Sequence, residues 1–386
     1  MNTSTVCSRN KCNGCMACVD VCPQKAIEIS DELMHYNAFI KEECCIHCKA
    51  CHKACPNNHP VSISEPRIWY QGWAKQENIR LCSSSGGVAS AIASCFIENS
   101  GEVCACAFDH GKFCFKCLDD KETLRGISGS RYVKSNPEGI YRIVQQKLES
   151  GKKILFIGLP CQVAALKHFI RADMQDNLYT IDLICHGTPS PKLLEIFLQQ
   201  YGYSLQTLDD IRFREKMGFQ LSSHGKRIAT VAGVNDRYTI GFLQGLFYTD
   251  NCYSCPYATL KRVGDITLGD SWGSNLSEDE KRKGISLILI QTEKGKFIIN
   301  QSNLHKEEVD LDKAIENNHQ LKSPVERPNK RELFFDYIYA GKKFNTAVFR
   351  CCLKKSVRQE IKKMLVQMKV FRGGKMQYGI CVDCKP

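Results

Sequence analysis

The 386-residue sequence lacks a long hydrophobic run: no apolar stretch approaches the ~20 residues that a membrane-spanning helix needs. Its first residues, MNTSTVCSRNKCNG, have neither the basic start nor the apolar segment of a secretory signal. It also lacks the aromatic-interleaved basic stripe and the helix-turn-helix pattern of nucleic-acid-binding proteins, although its formal net charge is +12. These absences indicate a cytoplasmic protein with no transmembrane segment and no nucleic-acid partner.

Cysteine, in contrast, is abundant, with 24 residues. Because a reducing cytosol keeps thiols free, we expect these cysteines to be metal ligands and reduced thiols rather than disulfides. A [4Fe–4S] cluster held by four thiolates carries about −2, so three clusters would lower the net charge by about 6. Much of the positive charge would then compensate for cofactors.

Two cysteine runs near the start of the chain share one spacing. Residues 12–23 read CNGCMACVDVCP and residues 45–56 read CIHCKACHKACP. Each is C-x2-C-x2-C-x3-C-P, the bacterial ferredoxin pattern, in which three cysteines hold one [4Fe–4S] cluster and the fourth crosses to the other. A pair of zinc knuckles would explain neither the x3 step nor the duplication. The pattern assigns one cluster to Cys12, Cys15, Cys18 and Cys55, and a second to Cys45, Cys48, Cys51 and Cys22.

The surroundings of these runs complete a small ferredoxin module. Between them, AIEISDELMHYNAFIKEE alternates as expected of a short hairpin, and NNHPVSISEP reads as a linker. Cys7 and Cys44 fall outside the ligand pattern. A ferredoxin module joined to some three hundred further residues implies that electrons are delivered to something downstream.

Four more cysteines in the downstream region have the setting of cluster ligands. KKILFIGLPCQVAALKHFI and NLYTIDLICHGTPSPKLLEIFLQQYG both predict a strand, a Gly/Pro break and a helix, with Cys161 and Cys185 at the break. Parallel strands would bring both to one sheet edge, where the loop carrying Cys252 and Cys255 can complete four ligands. A helix N-terminus should also lower the pKa of Cys161. Spacing alone leaves open whether Cys161 and Cys185 hold a third [4Fe–4S] cluster or are small buried hydrophobes.

Six motifs in order after the module carry a family resemblance: SSSGGVASAIA, ISGSRYVKS, GLPCQVAAL, DLICHGTPSP, IRFREK and NCYSCPYATLKRVGDITLGDSWG. Together they resemble the β subunit of coenzyme F420-reducing hydrogenase and dehydrogenase. The resemblance implies FAD, a core [4Fe–4S] cluster, and electron transfer between iron–sulfur clusters and an organic substrate. This chain departs from the pattern with Thr249 in place of an arginine of many relatives, and Arg131 in place of a lysine.

The expected fold class is an α+β ferredoxin-like cluster module followed by an α/β flavin- and cluster-binding core. We divide the chain into the ferredoxin domain (1–66), the N-terminal region of the β subunit (67–150), its C-terminal region with the core cluster (151–320), and a basic helical tail (321–386). In the tail, the apolar positions of residues 353–375 have helical spacing with lysines opposite. This helix is predicted to pack on its own domain; docking on a membrane surface or a partner is the alternative.

The flavin site is predicted at two Ser/Gly-rich segments. Ser84, Ser85, Gly86 and Gly87 precede an Ala-rich helix, where exposed backbone N–H groups suit the FAD pyrophosphate, although serine is also a common N-cap. Ser130, Arg131 and Tyr132 offer a cation for phosphate or ribose and a ring to lie against the flavin. The alternative for this second segment is a turn that enters a buried strand.

Candidate catalytic residues are His186, which can relay a proton beside Cys185, and Asp270, which can bind flavin or polarise substrate. Each also has a structural interpretation, as a residue that orders its loop or caps a turn. VCACAFDHGKFCFKC, residues 103–117, ends in C-x2-C but alternates like a strand, so we assign its cysteines to packing. The role of Cys381 and Cys384 stays open, with zinc or a partner cluster as candidates.

These features predict an FAD-dependent iron–sulfur oxidoreductase that passes electrons between its ferredoxin-type clusters and an organic substrate. Its expected partners are an electron donor or acceptor protein and that substrate. A non-catalytic electron-relay subunit of a larger redox complex is the alternative, and a structural zinc protein is a third class. The substrate, the direction of electron flow and the oligomeric state, a homo-oligomer included, are not determined by these motifs.

Overall fold

The computed structural model describes residues 4–369. Its N-terminal module contains a hairpin of β1 (Ile27–Asp31) and β2 (Tyr36–Ile40) and two short helices, α1 (Ala17–Val21) and α2 (Ala50–Lys53). The strands pair antiparallel, with Ile29 opposite Ala38. The hairpin predicted between the two cysteine runs is therefore confirmed.

The two cysteine runs follow the same backbone course. Gly14 and His47, each the third residue of its run, have φ angles of 69° and 56°. Met16 and Lys49, which precede α1 and α2, are also left-handed, at 62° and 60°. Gly14 and His47 each donate the backbone N–H to the sulfur of the first cysteine in the run, at 3.4 Å. Such turns aim backbone N–H groups inward and make the concave sites found around iron–sulfur clusters.

The strands that follow the module form two sheets. In chain order these strands are β3 (Ile68–Ala74), β4 (Glu102–Asp109), β5 (Lys112–Leu118), β6 (Ile154–Gly158), β7 (Leu178–Leu183), β8 (Arg212–Glu215), β9 (Gly218–Ser223), β10 (Lys226–Arg227), β11 (Ile266–Asp270), β12 (Ser286–Ile290) and β13 (Leu304–Glu307). The large sheet has eight strands in the order β13-β3-β12-β11-β7-β6-β4-β5, and the small one has the order β10-β9-β8.

The large sheet is mixed, with a parallel centre. β4, β6, β7 and β11 run parallel to their neighbours in this group, whereas β5, β12, β3 and β13 pair antiparallel. The expected parallel pairing of β6 and β7 is present, with Ile157 opposite Ile181. Since parallel strands end at the same edge, the residues that follow β6, β7 and β11 meet there.

Helices cover both faces of this sheet. The helices that follow the module are α3 (Glu77–Cys82), α4 (Val88–Glu98), α5 (Ile140–Glu149), α6 (Pro160–Phe169), α7 (Pro191–Gln199), α8 (Arg237–Leu243), α9 (Glu278–Lys283), α10 (Glu293–Gln301), α11 (Leu311–Asn317), α12 (Arg331–Tyr339), α13 (Phe344–Cys351) and α14 (Leu353–Gln367). In β6, Ile154 and Phe156 pack with residues of α5 and α6, while Leu155 packs with residues of α4 and α10. Side chains of a strand alternate between faces, so the core has three layers. Within residues 4–369 no helix is long and apolar enough to cross a bilayer.

In its described part, the segment expected to be a tail, residues 321–386, is partly buried in the core and partly exposed. Phe334 of α12 and Phe344 of α13 are fully buried against residues of α7 and α8. α14 packs on its own domain as expected, since it contacts α8 and α13 and Glu360 pairs with Arg237, but it also exposes a stripe of apolar side chains. The stripe consists of Leu353, Val357, Ile361, Met364 and Met368, which are 40–67% exposed. Cys381 and Cys384 lie outside the described residues.

The segment 103–117 forms the predicted strands but also contains a disulfide. Cys104 lies directly opposite Cys117 in the β4–β5 register, with Cα atoms 4.1 Å apart, and the two are bonded. The expectation of reduced thiols is therefore wrong for this pair, because antiparallel pairing brings the side chains within bonding distance. Cys106 and Cys114 remain free thiols.

Candidate functional site

The four cysteines predicted as core ligands face one cavity. Cys161 is the second residue of α6, just after β6, and Cys185 lies two residues beyond β7. Cys252 and Cys255 belong to a loop whose first turn, Asp250–Ser254, is a 3-10 helix. All four line a cavity of about 490 Å³. The parallel strands thus bring together residues from three separate motifs.

Two threonines tie the C-x2-C loop to the segment after Cys185. Thr249 donates its backbone N–H to the carbonyl of Thr188 at 3.1 Å, and Thr188 donates its own N–H to Sγ of Cys252 at 3.4 Å. Thr249 is fully buried, and its hydroxyl lies 3.6 Å from the same sulfur. Where many relatives have an arginine, this chain therefore has a small residue that packs against a candidate ligand.

Burial dominates the protonation of these thiols. It raises the pKa of Cys161 well above the ordinary value, and burial together with Cys252 and Cys255 raises the pKa of Cys185 to about 12. The expectation that the helix N-terminus lowers the pKa of Cys161 is wrong, because desolvation outweighs the helix dipole. Thiol ligands give up their protons to bind metal, so cluster assembly here would release protons.

A buried ion pair holds the C-terminal end of the C-x2-C loop. Asp182 of β7 and Arg262 are 0% and 2% exposed, and Nη2 of Arg262 donates to Oδ1 of Asp182 at 2.9 Å. Nη1 of Arg262 donates to the carbonyl of Tyr257 at 2.6 Å. The other oxygen of Asp182 accepts the backbone N–H groups of Val263 and Gly264 at 3.1 and 2.9 Å. The pair therefore anchors the chain that follows Cys255 to the sheet edge.

The first group of module cysteines is buried. Cys12, Cys15, Cys18 and Cys55 are 6–7% exposed. Cys15 and Cys18 lie close enough to Cys55 to interact with it electrostatically. The structure thus brings the fourth cysteine of the second run to the first group, as the crossed pattern requires. Ligation of iron by these residues stays a prediction.

The second group of module cysteines lies nearer the surface. Cys51 interacts electrostatically with Cys22, Cys45 and Cys48, so the crossed arrangement is present here too. Cys48 is exposed, and Cys45 and Cys51 are half-buried. This group is therefore the one that a protein redox partner can approach.

The first module group adjoins the core cavity. Tyr257 interacts electrostatically with Cys161, Cys15, Cys255 and Cys55. Cys15, Tyr257, Cys161 and Cys255 also belong to one hydrophobic cluster. The side chain of one tyrosine thus lies near the thiols of both the buried module group and the core.

Polar contacts fix the module against the core. The carboxylate of Asp20 accepts backbone N–H groups of Gly139 and Tyr141, at 2.7 and 3.2 Å, where α5 begins. Lys134, which lines the core cavity, donates from Nζ to the carbonyl of Asn13 at 3.0 Å. These contacts involve buried side chains, so they set the position of the first cysteine run relative to the cavity.

The predicted SSSGG phosphate cradle is bonded within the protein. Gly86 donates its N–H to the hydroxyl of Ser286 at 3.1 Å. A Cβ at Gly86 would lie 2.6 Å from the carbonyl oxygen of Gly72, so glycine is needed for the close approach of this loop to β3. Gly87, with φ of 80°, begins α4, and Ser85 donates its hydroxyl to the carbonyl of Ile285 at 3.0 Å.

The second predicted flavin segment is joined to the first. Ser130 donates its N–H to the hydroxyl of Ser84 at 2.9 Å. The guanidinium of Arg131 donates to the carbonyls of residues 126–129 at 2.7–3.3 Å, and its Nε lacks a partner in the described chain. The ring of Tyr132 stacks on Phe242, with 4.5 Å between centroids. Arg131 thus organises its own loop, and Tyr132 packs within the hydrophobic core.

A small cavity with charged walls lies beside this loop. Its volume is about 90 Å³, and its wall includes Arg131, Arg212 and Arg214 together with Asp209 and Asp210. Ligand pockets usually measure roughly 300–1,000 Å³. The cavity therefore has room for one small group rather than for a dinucleotide.

The two candidate catalytic residues occupy different surroundings. His186 lies on the wall of the core cavity, where burial lowers its pKa. Asp270 ends β11, and its two oxygens accept hydrogen bonds from Nη1 and Nη2 of Arg214 at 2.5 and 2.8 Å. The guanidinium of Arg214 also lies over the rings of Phe219 and Trp272. Because one guanidinium occupies both oxygens of this carboxylate, the geometry favours a positioning role for Asp270.

One buried lysine was missed by sequence reasoning. Lys216 is 3% exposed and donates from Nζ to the carbonyls of Ser85, at 2.9 Å, and of Arg80. Burial, with the neighbouring cations Arg80 and Arg214, lowers the pKa of Lys216 to about 7. The sequence feature that could have identified Lys216 is its position at the end of the IRFREK motif. Asp182 and Arg262 could likewise have been found as charged residues within apolar segments of two other motifs.

Comparisons with known proteins agree with the motif resemblance. Residues 11–59 match the family model of the 4Fe-4S dicluster domain, and residues 151–314 match that of the C terminus of the coenzyme F420 hydrogenase/dehydrogenase beta subunit. The chain therefore carries, in this order, a segment similar to an iron–sulfur dicluster domain and one similar to the C-terminal domain of an oxidoreductase subunit.

A solved structure is also similar: a chain from the xenon-derivatised F420-reducing [NiFe] hydrogenase complex of Methanosarcina barkeri. Identity is 18%, the TM-score is 0.48, and the match covers 67% of this chain and 91% of that chain. A search of curated proteins finds no match.

Proposed function

We propose that this chain is an iron–sulfur oxidoreductase that passes electrons between its ferredoxin-type clusters and an organic substrate, with FAD as the two-electron carrier. The observation that carries this proposal is the continuity of the cysteine groups. Exposed Cys48 belongs to one group, Cys51 of that group interacts with Cys18 of the buried group, and Tyr257 lies near both the buried group and the core thiols. Electrons entering at the surface therefore have a route into the core.

The cysteine groups fit [4Fe–4S] clusters because each offers four thiols within one site, and in each group a backbone N–H donates to a sulfur. In the core, Cys161, Cys185, Cys252 and Cys255 would hold the cluster. When bound, such clusters supply one-electron transfer. The chain itself excludes water from the first module group, and the Asp182–Arg262 pair fixes the loop that completes the core site.

FAD binding is the more specific part of the proposal, and the predicted SSSGG cradle fits FAD only in part. The N–H groups of Gly86 and Ser130 already have acceptors, whereas Nε of Arg131 lacks a partner in the described chain and Arg131 borders a small cavity. We therefore assign the anion contact to Arg131. His186, on the cavity wall, is the residue placed to exchange a proton.

A relay subunit that passes electrons to a partner is the second candidate function. The observation in its favour is that the donors of the SSSGG loop and most of those of Arg131 are used internally. In that case the core cluster would meet a partner protein instead of a substrate held by this chain.

One experiment separates the two functions. Protein purified anaerobically is assayed for iron, sulfide and FAD, then given a reduced ferredoxin and a soluble two-electron acceptor. The oxidoreductase should bind FAD and reduce the acceptor unaided, and Cys252→Ser should abolish turnover while FAD binding persists. Full cluster content without FAD binding or turnover would favour the relay, and a colourless preparation would contradict both.

A further inference from the structure

Upstream of the first cysteine run lies Cys7, which has no counterpart at the same position before the second run. Cys7 precedes the first cysteine of its run by five residues, and the equivalent position before Cys45 is Ile40. Sequence spacing placed Cys7 outside the ligand pattern. In the folded module it lies among the thiols of the first group.

The side chain of Cys7 packs in one cluster with Cys12 and Cys55, and its thiol interacts with both of theirs. Cys7 is 8% exposed. The amide Nδ2 of Asn57 lies 3.8 Å from its sulfur. The first group therefore offers five thiols for the four ligand positions of a [4Fe–4S] cluster.

The backbone holds Cys7 in this position. The N–H of the preceding residue, Val6, donates to the carbonyl of Ala38 at 2.9 Å, which attaches the segment to β2. The carbonyl of Val6 accepts Nδ2 of Asn58 at 2.8 Å. These two hydrogen bonds keep Cys7 beside the first thiol group.

We propose that Cys7 is a reserve ligand of the first cluster site, which binds iron when either of the thiols it touches, Cys12 or Cys55, is lost. The exchange would break the bond between iron and Cys12 or Cys55, whose thiolate takes up a proton, and form a bond between iron and the sulfur of Cys7. The Cys7 thiol releases its proton to solvent, and the oxidation states of iron and sulfide do not change. This inference rests on the proposed cluster sites and would protect the buried cluster nearest to the core.

Cys44 provides a matched control. It also stands beside a cysteine run, next to Cys45, but it is exposed. Among the described residues, Cys7 is in thiol contact with two predicted ligands of its site. A reserve role is therefore expected for Cys7 and not for Cys44.

The test compares iron content and EPR spectra of the full chain in four forms: wild type, Cys7→Ser, Cys55→Ser and the double variant. Wild type should contain about twelve iron atoms, and both single variants should match it. The double variant should fall to about eight, or to about eleven with the signal of an oxidised [3Fe–4S] cluster. Cys44→Ser combined with Cys55→Ser should behave like Cys55→Ser alone.

Equal iron loss in Cys55→Ser and in the double variant would overturn the reserve role. If Cys55→Ser does not fold, Cys12→Ser, alone and with Cys7→Ser, gives the same comparison through the other contact. Wild-type protein with no more than about eight iron atoms would instead count against the proposed three-cluster function, so the two failures are distinguishable.

Discussion

Around the core cavity, the thiols of Cys161, Cys185, Cys252 and Cys255 come from three motifs and face a common space. Around the predicted flavin loops, residues 84–87 and 128–132, the polar groups are largely paired with each other or with neighbouring strands. The core thiols therefore face a cavity that a bound group could fill. The polar groups of the predicted flavin loops mainly stabilise the loops themselves.

This difference separates two kinds of motif evidence. A cysteine spacing predicts a cluster because few other structures need that many converging thiols. A Ser/Gly-rich turn before a helix satisfies local backbone needs as readily as it binds phosphate, so the motif alone does not distinguish the two. The iron–sulfur part of the proposal therefore rests on more structural observations than the flavin part.

The largest effect is expected where a core thiol is removed. Cys252→Ser should cost about four of about twelve iron atoms, because one of four thiolates and its contact with Thr188 are lost. Iron and sulfide analysis of anaerobic protein measures this, with Cys44→Ser as the control that keeps full content. Loss of all iron would show that the module and core sites are not independent.

The next effect concerns the ion pair that anchors the core loop. Arg262→Leu leaves the buried Asp182 carboxylate without its charged partner, so stability should fall by about 3–5 kcal/mol and core iron should be lost. Anaerobic urea unfolding and iron analysis report the two changes. Lys261→Ala removes an adjacent, exposed ion pair and should cost no more than about 1 kcal/mol. Similar results for both variants would remove the anchoring role.

A smaller effect is expected on the flavin side. Arg131→Gln removes hydrogen bonds to the carbonyls of residues 126–129, which should destabilise the protein by about 1–3 kcal/mol and leave iron content unchanged. Arg171→Gln, at an exposed ion pair, is the control. Unchanged unfolding with weakened FAD binding, measured by titration, would show that Arg131 serves the ligand rather than its loop.

The last effect is a dependence of stability on pH. Lys216 has a pKa of about 7 in the folded protein against an ordinary value of 10.5, so between these values the unfolded chain holds a proton that the folded chain lacks. Unfolding free energy should therefore rise with pH across this window, by at most about 1.4 kcal/mol per unit. Lys216→Met should reduce the rise between pH 7 and pH 9, and the exposed Lys296→Met should preserve it. Identical slopes in all three proteins would contradict the lowered pKa.

Local patterns in the sequence were sufficient for the ferredoxin hairpin, for the parallel strands β6 and β7, and for the resemblance that the family comparisons confirm. These features depend on short-range spacing: period-two alternation, strand-turn-helix order, and cysteine runs whose ligands are close in sequence. The sequence alone also indicated Cys161 and Cys185 as candidate cluster ligands, although their spacing could not decide whether they bind a cluster or pack in the core.

The tertiary structure decided which side chains meet. It placed Cys7 in the first thiol group, bonded Cys104 to Cys117, paired Asp182 with Arg262, and occupied the N–H of Gly86 with Ser286. Most of these contacts join residues far apart in the chain, and none follows from local propensity. Burial likewise reversed the expected pKa shift of Cys161, because desolvation depends on the whole surrounding fold whereas a helix dipole can be read from neighbouring residues.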